Sequence, residues 1–127
     1  MNIQIDIDDT IDKAPEFFKW LTHSLRADGH KVFIVSSRTS SPRNDQETKK
    51  ELGGYGVVYD KLILSPELKN LDSKRFPPDM NAGHQLYLHK LFAAEDNGVE
   101  ILFDDCGITT GLFRKHLSEI KVFRLLP

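Results

Sequence analysis

Cysteine is nearly absent: Cys106 is the one thiol in 127 residues, so the chain alone can form neither a disulfide framework nor a cysteine-clustered zinc site. Long apolar runs are missing as well. Nowhere do about 18 consecutive apolar residues occur, the length a spanning helix needs, and the first residues lack the basic-then-apolar pattern of a secretory signal. The expectation is a soluble, cytoplasmic protein with no membrane partner. A one-sided charge is lacking too. Lys and Arg total 17 against 19 Asp and Glu, for a net charge of −2, so bulk charge offers no general attraction to a nucleic-acid backbone and only a local basic patch could supply one. Repeats and low-complexity tracts are absent. What remains, 39% hydrophobic and 28% charged positions, is enough for one core and predicts a single domain over 1–127.

Periodicity predicts the elements. NIQIDI (Asn2 to Ile7) alternates Asn2, Gln4 and Asp6 with Ile3, Ile5 and Ile7, the period of a strand rich in β-branched residues. From Asp12 the spacing turns helical: Ala14, Phe17, Phe18, Leu21 and Leu25 share a face, Pro15 suits a first turn and Gly29 a stop. KVFIV (Lys31 to Val35) reads as a strand buried on both faces. A loop and a polar, exposed helix follow it, and YDKLIL (Tyr59 to Leu64) is the third strand. Ser65 to Gly83 holds three prolines and no sustained period, which predicts an ordered loop or insertion. Tyr87, Leu88, Leu91 and Phe92 mark a helix, VEILF (Val99 to Phe103) a strand, Leu112 to Leu117 a helix and KVFRLL a last strand. Strands alternating with helices predict an α/β fold, a single-domain Rossmann-like three-layer sandwich around a mostly parallel five-stranded sheet.

In such sheets ligands gather at the carboxyl ends of strands, where the strand order reverses. Asp6 and Asp8 fall at the end of the first strand, Ser36 and Ser37 at that of the second, and Asp104 and Asp105 at that of VEILF. Residues two apart in an extended segment share a side. That rule aims Asp6 and Asp8 at one volume, which Asp104 or Asp105 from a neighbouring strand could also reach. Crowded carboxylates repel, and a divalent cation or a proton relieves them. Oxygen ligands without imidazole or thiolate suit Mg²⁺ better than zinc. A hydroxyl of Ser36 or Ser37 could then bind a phosphate, and a lysine could neutralise it. The plainer readings are helix-capping aspartates, for which Asp12 is the better placed, serines that start a turn, an acidic loop start at Asp104 and Asp105, and solvated lysines.

Taken together, these stretches resemble the four motifs of haloacid dehalogenase (HAD) superfamily phosphatases. IQIDIDDT matches an apolar strand running into Asp-x-Asp-x-Thr, with Asp6, Asp8 and Thr10; VFIVS matches an apolar strand ending in Ser36; Lys90 has the place of the motif lysine, with Lys61 and Lys74 as rivals; VEILFDD supplies the acidic pair Asp104 and Asp105. The resemblance implies Asp6 as nucleophile, forming an aspartyl-phosphate, and Asp8 as the acid and base that serves the leaving oxygen and the attacking water. It implies Mg²⁺ held by Asp6, the Asp8 carbonyl and the Asp104/Asp105 pair, and substrate phosphate bound by Ser36, Ser37, Thr10 and Lys90. The presence of Asp8 favours phosphate chemistry, since members that dehalogenate lack this second aspartate.

About twenty residues separate the first two motifs, room for one helix, so no large cap domain is expected and the site should be open. The function that follows is Mg²⁺-dependent hydrolysis of a phosphate monoester, with a nucleotide, a polynucleotide end or a sugar phosphate as substrate. Lys69, Lys74 and Arg75 could touch a second phosphate or a polymer backbone. Two other readings compete. A phospho-accepting signalling receiver would need an aspartate ending the third strand, where this chain has LILSP, and a catalytically silent HAD-like binding protein would not need every motif residue intact. Cys106 reads as a small residue beside the site whose oxidation could affect activity, and His116 as the edge of a helix face. Monomer and weak dimer both remain open.

Overall fold

The computed structural model describes residues 1–66 and 87–126. Five strands, β1 (Asn2–Ile5), β2 (Lys31–Thr39), β3 (Lys61–Ser65), β4 (Ile101–Asp104) and β5 (Lys121–Arg124), alternate with helices α1 (Pro15–Ala27), α2 (Pro42–Tyr55), α3 (Leu88–Asp96) and α4 (Gly107–His116). The strand order is β3-β2-β1-β4-β5, and every pairing is parallel. The expected mostly parallel sheet is therefore parallel throughout. The chain leaves β1 toward β2 and β3, then returns to build β4 and β5 on the other side, so the order reverses between β1 and β4. Among the described residues no helix is long and apolar enough to cross a membrane.

The helices form because each buries an apolar stripe and has workable ends. Pro15 and Pro42 open α1 and α2 where their missing N–H costs nothing. Ser41 caps α2 by accepting the Asn44 N–H at 3.0 Å. Asp12, by contrast, caps nothing: α1 starts from Ala14 without a side-chain cap, and Asp12 lies in a short 3₁₀ turn, Ile11–Lys13. Two cores result. Ile3, Ile5, Val32, Ile34 and Phe18 belong to one, and Phe33, Val35, Leu102, Leu91 and Phe113 to the other.

Strand alternation decides which side chains meet α3. Ile3 and Ile5 of β1 enter the first core, so Gln4 turns to the opposite face, where its Nε2 donates to the Lys90 carbonyl at 3.3 Å. Asp6 continues that parity on β1, as Asp104 continues that of Leu102 on β4. Because Ile5 is paired with Phe103, the two aspartates are next in register.

The first strand is shorter than its sequence pattern. It ends at Ile5, and Ile7 to Thr10 form a turn in which the Ile7 carbonyl accepts from the Thr10 and Asp12 N–H groups at 3.2 and 3.3 Å. Asp9 takes φ 60° there, the one positive φ at a non-glycine among the described residues. A β-branched side chain is poorly tolerated in that region. Asp9→Val should lower stability by about 1 kcal/mol in urea unfolding while Asp9→Gly leaves it nearly unchanged; equal losses for the two would contradict this backbone conformation.

Candidate active site

Burial makes the centre of the site unusual. Asp6 is 5% exposed, Lys90 3% and Asp104 0%, and charged side chains reach such burial only when paired. The Lys90 Nζ donates to Asp6 Oδ1 at 3.0 Å and to Asp104 Oδ2 at 2.8 Å. Three elements deliver these groups: β1 ends just before Asp6, β4 ends on Asp104, and Lys90 lies in the first turn of α3, on the face toward the sheet. The second Asp104 oxygen accepts the Cys106 N–H at 2.9 Å, so both oxygens of that carboxylate are held.

Asp105 follows on the loop into α4 and is half-buried. Ligand oxygens of Asp6, Asp104 and Asp105 lie within 4.8 Å of one another. The fully buried Thr10 hydroxyl stands between Asp6 Oδ2 and Asp105 Oδ1, 3.4 Å from each. Its single proton serves one of them at a time. Thr10 thus orders the carboxylates. Three carboxylates against one ammonium leave two formal negative charges, the deficit a divalent oxygen-preferring cation would fill. These three residues could hold such an ion, and Asp105 is the one whose carboxylate is most open to it.

The same crowding governs protonation. The Asp6 carboxyl is raised to about 7: burial pushes it up most, the Lys90 ammonium pulls it down in part, and the Asp104 charge adds to the rise. Burial also works against the Lys90 charge, but the two aspartates outweigh it and the ammonium is held above its ordinary value. Beside it His89 is buried, with no hydrogen-bond partner on either ring nitrogen, and burial lowers its imidazole to about 4. The His89 ring is therefore held in its neutral form.

Asp8 is not aimed into this cluster, because the alternation expected to place it ends at Ile5. Its carboxylate, 57% exposed, is gripped by Arg38, whose Nη2 and Nε donate to Asp8 Oδ1 and Oδ2 at 2.7 and 3.1 Å. The same guanidinium is 2.6 Å from Glu51 Oε2 on α2. Ser36 is fully buried at the same rim and its Oγ accepts the Arg38 N–H at 3.1 Å, which leaves its own proton to offer; Ser37 is exposed. Arg38 and Glu51 escaped the sequence reading. The signal for Arg38 was its place two residues after Ser36 at a strand end, the same position rule that picked out the serines.

The remaining candidates separate clearly. Lys61 begins β3, at the opposite end of a parallel strand from this rim, and is exposed. Lys69, Lys74 and Arg75, with most of the stretch from Ser65 to Gly83, lie outside the described residues. Cys106 is a partly exposed free thiol whose backbone, not its sulfur, supports Asp104. Removing one member of a buried ion cluster leaves the others uncompensated. Lys90→Ala should cost about 3 kcal/mol in urea unfolding at pH 8 and less at pH 5, where a proton on Asp6 removes part of the stranded charge; stability equal to wild type at pH 8 would show that the contacts are not formed.

No family model matches the chain, and no curated protein does. Solved structures resemble it in fold. A chain of a "Pnkp1/Rnl/Hen1 complex" superposes with TM-score 0.67 at 19% identity, over 98% of this chain and 45% of that one. A chain of a "Pnkp1/Rnl/Hen1 RNA repair complex" gives TM-score 0.66 at 18% identity, over 98% and 42%. This chain therefore spans less than half the length of either, and at such identities the likeness is one of fold.

Proposed function

We propose that this protein is a Mg²⁺-dependent phosphomonoesterase of HAD type that works through an aspartyl-phosphate on Asp6. The observation that carries the reading is the buried Lys90 ammonium bridging Asp6 and Asp104, with Asp105 close enough to complete a cation site of residual charge −2. An ordinary structural ion pair balances its charges. This one does not, and the imbalance suits a cation together with an arriving phosphate.

The chemistry follows from the positions. Asp6 Oδ attacks phosphorus in line, the phosphorus-to-leaving-oxygen bond breaks, and Asp8 gives its proton to that oxygen. Water then attacks the phosphorus on Asp6, Asp8 takes its proton, and inorganic phosphate leaves with Asp6 restored. Lys90 and the Ser36 hydroxyl stabilise the charge on the transferring group, and Thr10 and Asp104 hold the carboxylates that do the work. Asp6, Asp104 and Asp105 would hold Mg²⁺, which would supply the further positive charge that phosphoryl transfer requires. The Asp8 carboxylate stands outside the cation cluster, which suits proton transfer better than ligation. A polynucleotide end is the substrate class we favour over free sugar phosphates, because the two similar chains belong to Pnkp1/Rnl/Hen1 complexes, one of them an RNA repair complex.

Two measurements test this reading. With Mg²⁺, purified protein should release phosphate from at least one of 3′- or 5′-phosphorylated oligonucleotides, nucleoside monophosphates and sugar phosphates, and Asp6→Asn should lose roughly a thousandfold or more. A panel without turnover, or Asp6→Asn equal to wild type, would falsify it. The second readout is thermal. A carboxyl raised from 3.8 to about 7 by folding binds its proton more tightly when folded, so metal-free stability contributed by Asp6 falls as pH rises through that window. A cation held by the same carboxylates would compete with this proton. Its stabilisation, about 1.4 kcal/mol at tenfold over Kd, should therefore be larger at pH 8 than at pH 5.5, and a pH-independent shift would place the ion elsewhere.

A further inference from the structure

We propose that Arg38 is the positioning residue that fixes the Asp8 carboxylate for proton transfer to the leaving group, an inference that rests on the phosphatase reading above. Asp8 sits on the turn after β1, more than half exposed, where a free side chain would sample several rotamers and lose freedom each time it served as acid. Arg38 removes that freedom. Its Nη2 and Nε engage both Asp8 oxygens at 2.7 and 3.1 Å, the two-pronged geometry that only a guanidinium gives.

The guanidinium is itself braced. Nη1 donates to Glu51 Oε2 at 2.6 Å and to Thr48 Oγ1 at 3.4 Å, and Nη2 reaches Glu51 Oε1 at 3.4 Å. Tyr55 donates its hydroxyl to Glu51 Oε1 at 3.0 Å, so the chain of contacts runs from Asp8 through β2 into α2. An incidental surface pair has no such backing and contributes little. The division of the rim also matters. Asp6 is tied to α3 through Lys90, whereas Asp8 is tied to β2 and α2 through Arg38. In-line displacement needs the nucleophile and the acid on different sides of the phosphorus, and here the two carboxylates are held by different elements.

A competing role for Arg38 is direct contact with substrate phosphate, and leaving-group chemistry separates the two. An alkyl phosphate needs a proton on its departing oxygen; p-nitrophenyl phosphate scarcely does. The readout is kcat/KM with saturating Mg²⁺, since it reports departure of the leaving group and not the later hydrolysis common to both esters. Arg38→Gln should lower kcat/KM roughly a hundredfold for the alkyl ester and less than about threefold for the nitrophenyl ester. Glu51→Gln should show the same bias at roughly a tenfold loss, and Arg38→Lys should fall between wild type and Arg38→Gln because it keeps the charge without the fork. Asp8→Asn combined with Arg38→Gln should be no worse on the alkyl ester than Asp8→Asn alone. Equal losses on both esters in Arg38→Gln and Glu51→Gln, or additive losses in the double variant, would overturn the positioning role while leaving the phosphatase reading intact. A wild type inactive on every ester would overturn both.

Discussion

One buried ammonium holds this rim together. Lys90 lies between Asp6 and Asp104 with almost no contact with solvent, and each of the three is tolerable there only because the others are present. The constraint reaches outward into the fold. It requires β1 and β4 to be neighbours in register, so that two strands end in carboxylates side by side, and it requires α3 to bring its first turn over that end. A doubly wound sheet satisfies both at the point where its strand order reverses.

The cluster is stable without being balanced. Desolvation and the neighbouring Asp104 raise Asp6 toward neutrality, and Lys90 only partly reverses this. A proton on Asp6 is one way to lower the residual charge; a cation held by Asp6, Asp104 and Asp105 would be another, and it would leave the Asp6 carboxylate ionised. On the proposed reading, folding stores an electrostatic mismatch that a bound cation would relieve. The second carboxylate of the motif is handled differently. Asp8 meets Arg38 in a partly exposed pair and takes no place in the buried set.

Much of this was legible in the sequence, for identifiable reasons. The alternation in NIQI encodes which side chains enter the apolar core, although Gln4 on the opposite face is buried as well, and the helical spacing from Ala14 to Leu25 holds for Phe18 but not for Phe17, which is 47% exposed. Asp6, Asp104 and Asp105 could be placed because strand ends inherit their position from strands that are easy to read. Lys90 could be ranked above Lys61 by its place at the start of a helix. Strand alternation, extended beyond the last ladder partner, aims Asp8 at the cluster, whereas the structure pairs its carboxylate with Arg38. A turn with Asp9 at positive φ leaves no trace in a polar and apolar pattern. Arg38 and Glu51 were invisible for another reason: their meeting joins the end of β2 to the middle of α2, and periodicity says nothing about which charged side chains on two elements will touch.

The central claim is that Asp6 accepts phosphorus in a pocket completed by Lys90 and a divalent cation. Crystals of the protein soaked with Mg²⁺ and beryllofluoride, which mimics a phosphoryl group on a carboxylate, test it without knowledge of the substrate. The account predicts beryllium on an Asp6 oxygen, Mg²⁺ between Asp6 and Asp105, and fluorides within hydrogen-bond reach of Lys90 Nζ and Ser36 Oγ. Beryllium on Asp8 or Asp105, or a cation bound away from Asp6 with Asp6 unmodified, would contradict it.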